Sequence, residues 1–278
     1  MSDYELVDSG EFEKLERFGD FYISRPAPGA IWKKSKTKEW KLSQARFERY
    51  ALGKGEWLDV SKDLPSQWDI EFSGFKMVIQ RTAFGHLGIF PEQMDNWTRF
   101  TELCQKLENP KVLNLFAYTG GATLACARGG AEIVHVDASK SSIESAKLNA
   151  EKSGFSESTI RYMVDDVMAF VSREIRRGNR YDAIILDPPT FGRGTKAQVW
   201  KIEDRLIPLL DHLKELCSEN FSFISLSAHS PFYSPICLEN LLMDFIGDRK
   251  GKFVTEEMIL KGGGLPLPSG STCLFTCD

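Results

Sequence analysis

From residue 111 onward, short apolar runs alternate with longer stretches whose apolar residues recur every three or four positions. The pattern predicts strands over 112–115, 133–136, 160–164, 183–186 and 221–226, with helices over 140–152, 167–177, 204–216 and 236–246. An Ala-rich helix ending at Gly129-Gly130 joins the first two strands, and strands over 253–259 and 271–276, linked by a Gly/Pro-rich loop at 262–270, close the pattern. Strands alternating with helices, then a final hairpin, imply a mostly parallel sheet with an antiparallel edge. Upstream, Met94, Trp97, Phe100, Cys104 and Leu107 mark an amphipathic helix that starts near Glu92 and is ended by Asn109-Pro110. Alternating runs at 68–72 and 75–82, separated by Ser73-Gly74, read as a β-hairpin. Residues 1–20 mix acids with scattered apolar positions and read as an exposed arm. The division expected is a small β-rich domain over 1–90, followed by a larger domain over 91–278.

The stretch KVLNLFAYTGGATLACARGGAEIVHVD, residues 111–137, concentrates the candidate chemistry. It is a strand–turn–helix–strand unit, and its paired glycines stand where backbone would approach a ligand closely. Asp137 follows Gly120 by seventeen residues, at the carboxyl end of the second strand, where an acid accepts hydrogen bonds from ribose hydroxyls. The site therefore suits a nucleoside-type cofactor. A dinucleotide would need G-x-G-x-x-G to seat its pyrophosphate, whereas here the glycines are adjacent and Phe116 and Tyr118 fill the turn. That favours a ligand without phosphates, such as S-adenosylmethionine.

Further strand ends add acids to the same rim. They carry Asn114 and Phe116, then Asp137, Asp165-Asp166, and Asp187-Pro188-Pro189-Thr190-Phe191. Asp166, with Asp165 as its rival, is placed to accept from an adenine amine. Two prolines fix two φ angles, so a carboxylate and a carbonyl can orient an amino group. Phe191 offers a face for a flipped base.

Composition narrows the picture. A net charge of −4 argues against nonspecific nucleic-acid binding, yet residues 25–54 hold nine basic residues (Arg25, Lys33, Lys34, Lys36, Lys38, Lys41, Arg46, Arg49 and Lys54) against two acids. With Trp32, Trp40, Phe47 and Tyr50 interleaved, this segment reads as an RNA contact surface, or as a solvated loop with its tryptophans packed inward. Six cysteines without C-x-x-C spacing and an amino terminus without an apolar run suit reduced thiols and a cytoplasmic protein. Neither a metal site nor a membrane span is expected.

NLFAYTGGATLACARGGA, VHVDAS, DDVMAFV and DPPTFGRG together resemble the class I S-adenosylmethionine-dependent methyltransferases, and within them the branch that modifies bases of large-subunit ribosomal RNA. The resemblance covers residues 75–278 and implies a Rossmann-like, doubly wound seven-stranded sheet with an antiparallel edge hairpin, plus the small amino-terminal domain. It implies cofactor contacts from Phe90, Gln93, Asn114, Phe116, Tyr118, Thr119, Gly120, Asp137, Ala138, Ser139, Asp165, Asp166 and Asp187, and catalysis by Asp187, Pro188, Pro189 and Phe191. HLGIFPEQ resembles the family's segment that covers the cofactor, although Met94 stands where that branch has Arg. Members that methylate carbon 5 of cytosine attack with a cysteine after the fifth strand; here the sequence is Ser227-Ala228-His229-Ser230. Transfer to a base nitrogen of RNA needs no such thiol and is the activity expected. The alternatives are a protein or small-molecule acceptor, or a non-catalytic cofactor-binding RNA subunit. His229 could take a proton or simply support its loop.

Overall fold

The computed structural model describes residues 3–50, 55–155, 159–193 and 199–278. The chain packs as two compact units, residues 1–94 with 259–269, and residues 95–258 with 270–278.

The first unit is built on a five-stranded sheet: β1 (Tyr4–Gly10), β2 (Glu13–Phe18), β3 (Phe21–Pro26), β4 (Ala45–Arg49) and β5 (Gly55–Leu58), in that spatial order. Neighbours run antiparallel except β3 and β4. A hairpin of β6 (Gln67–Phe72) and β7 (Phe75–Gln80) follows. The hairpin is where the alternation put it, but the arm expected over residues 1–20 is wrong: those residues form β1 and β2. Leu6, Leu15 and Phe18 are fully buried there. Buried acids disguised them. Asp8 accepts from the Ser35 amide and hydroxyl, the Lys36 amide and the Trp40 indole, while Glu16 pairs with Arg25 at 2.7 Å. Burial opposes the charge on Glu16, but Arg25 and Lys14 outweigh it and hold its pKa down at about 2. Residues 259–269 join this unit through Gly262, where a Cβ would lie 2.1 Å from the Leu6 carbonyl oxygen.

The second unit opens with α1 (Met94–Gln105), preceded by a 3₁₀ turn, Pro91–Gln93, in the first unit. It then alternates β8 (Lys111–Leu115), α2 (Gly121–Arg128), β9 (Glu132–Asp137), α3 (Lys140–Lys152), β10 (Ile160–Val164), α4 (Val167–Arg177) and β11 (Ala183–Leu186). A short hairpin of β12 (Phe191–Arg193) and β13 (Val199–Lys201) leads to α5 (Ile202–Lys214), β14 (Phe223–Ala228) and α6 (Pro235–Ile246). β15 (Gly251–Leu260) and β16 (Leu267–Cys277) complete the seven-stranded order β10-β9-β8-β11-β14-β16-β15. The first five of these are mutually parallel and β16 is antiparallel to β14, as expected. Boundaries shift by two residues at α5 and β14, and β16 takes up part of the expected loop at 262–270. The β12–β13 pair had no counterpart in the pattern. The order reverses between β8 and β11, and a crevice opens at such a switch point beyond the carboxyl ends of the strands.

Caps set the helix starts. The Ser139 hydroxyl accepts from the Ser142 amide and the Asp166 carboxylate from the Ala169 amide. Gly120, at φ +90°, starts α2 in a conformation that favours glycine. Gly121 and Gly129 are packing positions. A Cβ on Gly121 would lie 2.0 Å from the Trp97 ring, and one on Gly129 2.5 Å from the Cys104 Cβ, so α1 seats directly on α2. Gly121→Ala would ordinarily favour a helix. Against a buried, rigid indole it is expected instead to destabilise by about 1–3 kcal/mol, read by chemical denaturation. A variant as stable as wild type would refute this packing role.

Candidate active site

Five parallel strands deliver their carboxyl ends to one rim of the second unit. At β8 the chain turns through Phe116 (φ +57°) and Tyr118 (φ +49°), positive angles that cost a bulky residue energy and so are held by their surroundings. The holder is Asp137, at the end of β9. Its carboxylate accepts from the Tyr118 amide at 2.9 Å and from the Ser139 amide at 2.8 Å. Burial raises the Asp137 pKa, opposed by those two backbone bonds. The acid thus ties the ends of two adjacent strands together. Ala138 and Ser139, half-buried, follow it, and the Ser139 hydroxyl is engaged in capping α3. The Thr119 carbonyl accepts from Asn149 at 2.9 Å, anchoring the turn from below.

Asn114 is buried, and its amide is spent inside the fold. It donates to the Thr123 hydroxyl at 2.9 Å, which in turn meets His135 Nδ1 at 2.8 Å. Burial pushes the His135 pKa down to about 3, so the imidazole is neutral. Thr123 and His135 lie inside runs that read as apolar, which is why periodicity showed no sign of this hydrogen-bonded chain.

At the end of β10 the two rival acids separate. Asp165 forms an ion pair with Arg173. Asp166 caps α4 through Oδ1 and lines a cleft with Met168, Trp200 and Arg205. At the end of β11, Asp187 is half-buried, Pro188 buried, and Pro189 and Phe191 exposed. The Pro189 carbonyl, expected to face a ligand, is taken by the Trp200 indole at 2.7 Å. Trp200 also packs on Phe116, ring centres 4.6 Å apart, and so links the β8 turn to the Asp-Pro-Pro corner. Sequence reading missed it because its role depends on the β12–β13 pair. His229, beyond β14, puts Nε2 3.1 Å from Asp187 Oδ1.

Phe90 and Gln93 lie in the other unit. Phe90 contacts His86 edge-on at 5.3 Å, and the buried Gln93 donates its amide to the Phe90 carbonyl. Three of the nine basic residues over 25–54 are paired with acids there. Arg25 is buried against Glu16, Lys34 pairs with Glu13, and Arg46 with Glu48. Trp32 and Trp40 donate their indole N–H groups to Ser9 and Asp8, and Phe47 is buried, so the inward-packed alternative holds for these side chains. Lys33, Lys38, Lys41 and Arg49 are exposed, and Lys54 lies outside the described residues. Among the described residues no cluster could hold a metal ion, and no helix is long and apolar enough to cross a membrane.

The sequence matches the model of a protein family described as S-adenosylmethionine-dependent methyltransferase over residues 13–223. It is 34% identical to ribosomal RNA large subunit methyltransferase I of Aeromonas salmonicida over 132 residues, which is 47% of this chain and 32% of that relative. The crystal structure of an SAM-dependent methyltransferase from Agrobacterium tumefaciens superposes with a TM-score of 0.93 at 34% identity, covering 99% of this chain and 91% of that one. SMU.776, solved in complex with SAH, shares the fold at a TM-score of 0.78 and 19% identity, over 99% of this chain and 76% of its own. Strand order, switch-point rim and family match agree: the chain belongs to the S-adenosylmethionine-dependent methyltransferases.

Proposed function

We propose that this chain transfers the methyl group of S-adenosylmethionine to a base nitrogen of RNA, with ribosomal RNA as the substrate class. The residues present fit that cofactor. Asp137 is a half-buried carboxylate fixed by two amides, each engaging one lone pair of a different oxygen, so the pair can still accept from a ribose diol. Asp166, facing the cleft with Met168 and Trp200, suits an adenine amine and ring. When bound, the cofactor supplies an electrophilic methyl on a sulfonium.

The observation that carries the nitrogen reading is the Asp187-Pro188 corner beside the switch point. There a half-buried carboxylate meets the edge of the crevice and Phe191, 56% exposed, offers a ring for stacking. Trp200 holds the corner rigid from the far side through the Pro189 carbonyl, which leaves the Pro188 carbonyl as the backbone partner of Asp187 in orienting an amine. A carbon-5 mechanism lacks its nucleophile: the position that the resemblance assigns to the cysteine is Ala228, the buried last residue of β14, and the nearby-in-sequence Cys237 lies on α6. The RNA class is supported by the relatives' names and by the exposed lysines near residues 33–41. Net charge of −4 and the internal pairing of part of the basic segment favour the rival, a protein or small-molecule acceptor.

Nucleoside digests of total RNA from cells with and without the protein, compared by mass spectrometry, decide between them. One methylated nucleoside is expected to disappear and to return with the wild-type gene. An unchanged profile alongside intact cofactor binding would transfer the assignment to the rival.

A further inference from the structure

We propose that Phe232 stacks on an unpaired base of the substrate RNA, next to the nucleotide that is methylated; this rests on the reading of the rim as an RNA base methylation site. Phe232 stands in the segment that joins β14 to α6. It is 85% exposed, more than any other large apolar residue among the described ones. Exposed apolar residues are ordinary when scattered singly. This one is set apart by its place and by its neighbour. β11 and β14 are adjacent parallel strands, paired from Ala183 with Phe223 to Leu186 with Leu226. The segments leaving them therefore emerge side by side at the carboxyl rim, where ligands bind in such folds. The β11 exit carries Phe191, 56% exposed, and the β14 exit carries Phe232. Two phenyl rings are thus left uncovered on adjoining exits.

The backbone under Phe232 is fixed. The Tyr233 amide donates to the Ser230 carbonyl at 3.2 Å, which closes a turn with Pro231 at its second position and Phe232 at its third. Pro231 sets φ there, and Pro235 opens α6. The Tyr233 hydroxyl donates to Glu203 of α5 at 3.0 Å, tying the segment to the helix that follows β13. An ordered turn carries the ring, so little backbone freedom is lost when a partner covers it.

The partner that fits is flat and uncharged. The first turn of α5 exposes two acids, Glu203 and Asp204, against one cation, Arg205, and no lysine or arginine lies between β14 and α6. Those surroundings do not favour a phosphate. A nucleobase presents a π-face whatever its identity, and it stacks on an aromatic ring without any charge contact. Phe191 offers its ring to the base that is methylated, so the base that Phe232 takes is its neighbour in the strand. Holding that neighbour helps draw the target out of its own stack.

The test is transfer of radiolabel from S-adenosylmethionine to RNA extracted from cells lacking the protein, over a range of RNA and salt concentrations. It compares wild type with Phe232→Ala, Phe232→Leu and Phe232→Trp, surface substitutions that leave the fold intact. In Phe232→Ala, half-saturating RNA is expected to rise roughly 5- to 100-fold. The rate at saturating RNA should stay within about threefold of wild type, with cofactor affinity unchanged by calorimetry. Phe232→Trp should keep half-saturation within about threefold, whereas Phe232→Leu should lose most of what Phe232→Ala loses, because stacking needs a ring. A stacking contact releases no counterions, so the salt dependence of RNA affinity should have the same slope in all four proteins. A slope that changes when the ring is removed, full rescue by Phe232→Leu, or a loss confined to the saturating rate overturns the proposal. If wild type binds cofactor but labels no RNA, the RNA reading itself fails and the inference falls with it. If all four label RNA at the same half-saturation, only the inference falls.

Discussion

Asp187→Ala is expected to lower methyl transfer by about 10³-fold while leaving the fold close to wild type. Three local facts set that size. The carboxylate sits at the end of a buried parallel strand, so its position is fixed by packing and not by a loop. It is one of two acceptors that can align an attacking lone pair, and misplacing such a group by an ångström costs on the order of 10²-fold. It also holds His229 at 3.1 Å, so removing it frees the imidazole to turn away. Asp187→Asn separates the roles, because the amide can still accept but presents an NH₂ group to part of the contact. The check is single-turnover labelling of RNA at saturating S-adenosylmethionine, with calorimetry following cofactor affinity separately. Activity within tenfold of wild type in Asp187→Ala would move the chemistry elsewhere on the rim.

The parts of this molecule that could be read in advance are those whose signals are local. α3, β10, α4 and β11 lie where the pattern put them, because each boundary has a residue with a mechanism: Ser139 and Asp166 cap helices, and prolines follow Asp187. The rim was legible for the same reason, since an acid directly after a short apolar run marks a strand end. The amino-terminal sheet was not. Asp8 and Glu16 look like surface residues, yet they are buried, and their partners Trp40 and Arg25 lie 32 and 9 residues away. The same pairing explains part of the apparent basic patch. Counted along residues 25–54 the charge is unbalanced, but Glu13 and Glu16 from β2 supply acids that the window omits. The contacts of Trp200 were opaque for a related reason: it sits on a two-stranded ribbon. Periodicity reports which face a residue shows, and says nothing of which neighbour it meets.

Asp137→Ala is expected to weaken S-adenosylmethionine binding by about 10²-fold or more. Two hydrogen bonds from a ribose diol to a carboxylate are each worth about 1.5 kcal/mol or more, and 3 kcal/mol is roughly a factor of 10² in affinity. The Tyr118 turn loses its amide's acceptor as well, so the loop at positive φ is less well held and the effect should exceed the diol term alone. Asp137→Asn should not rescue, because its NH₂ would face either the Tyr118 or the Ser139 amide, both donors. Calorimetry with S-adenosylmethionine measures this directly, and unchanged affinity in Asp137→Ala would remove the acid from the site. The raised pKa adds a pH signature with opposite signs for fold and ligand. Burial makes the folded state hold a proton on Asp137 more readily than the unfolded chain, so this group favours folding below its unfolded pKa. That contribution is lost as pH rises through the higher folded value. Ligand binding needs the ionised acceptor, so affinity should decline as pH falls, beginning above the ordinary carboxylate range. The ionised acid therefore costs the empty fold stability that the ligand restores. Thermal stabilisation by S-adenosylmethionine should accordingly be large near neutral pH and shrink in mild acid, and a shift independent of pH would contradict the assignment.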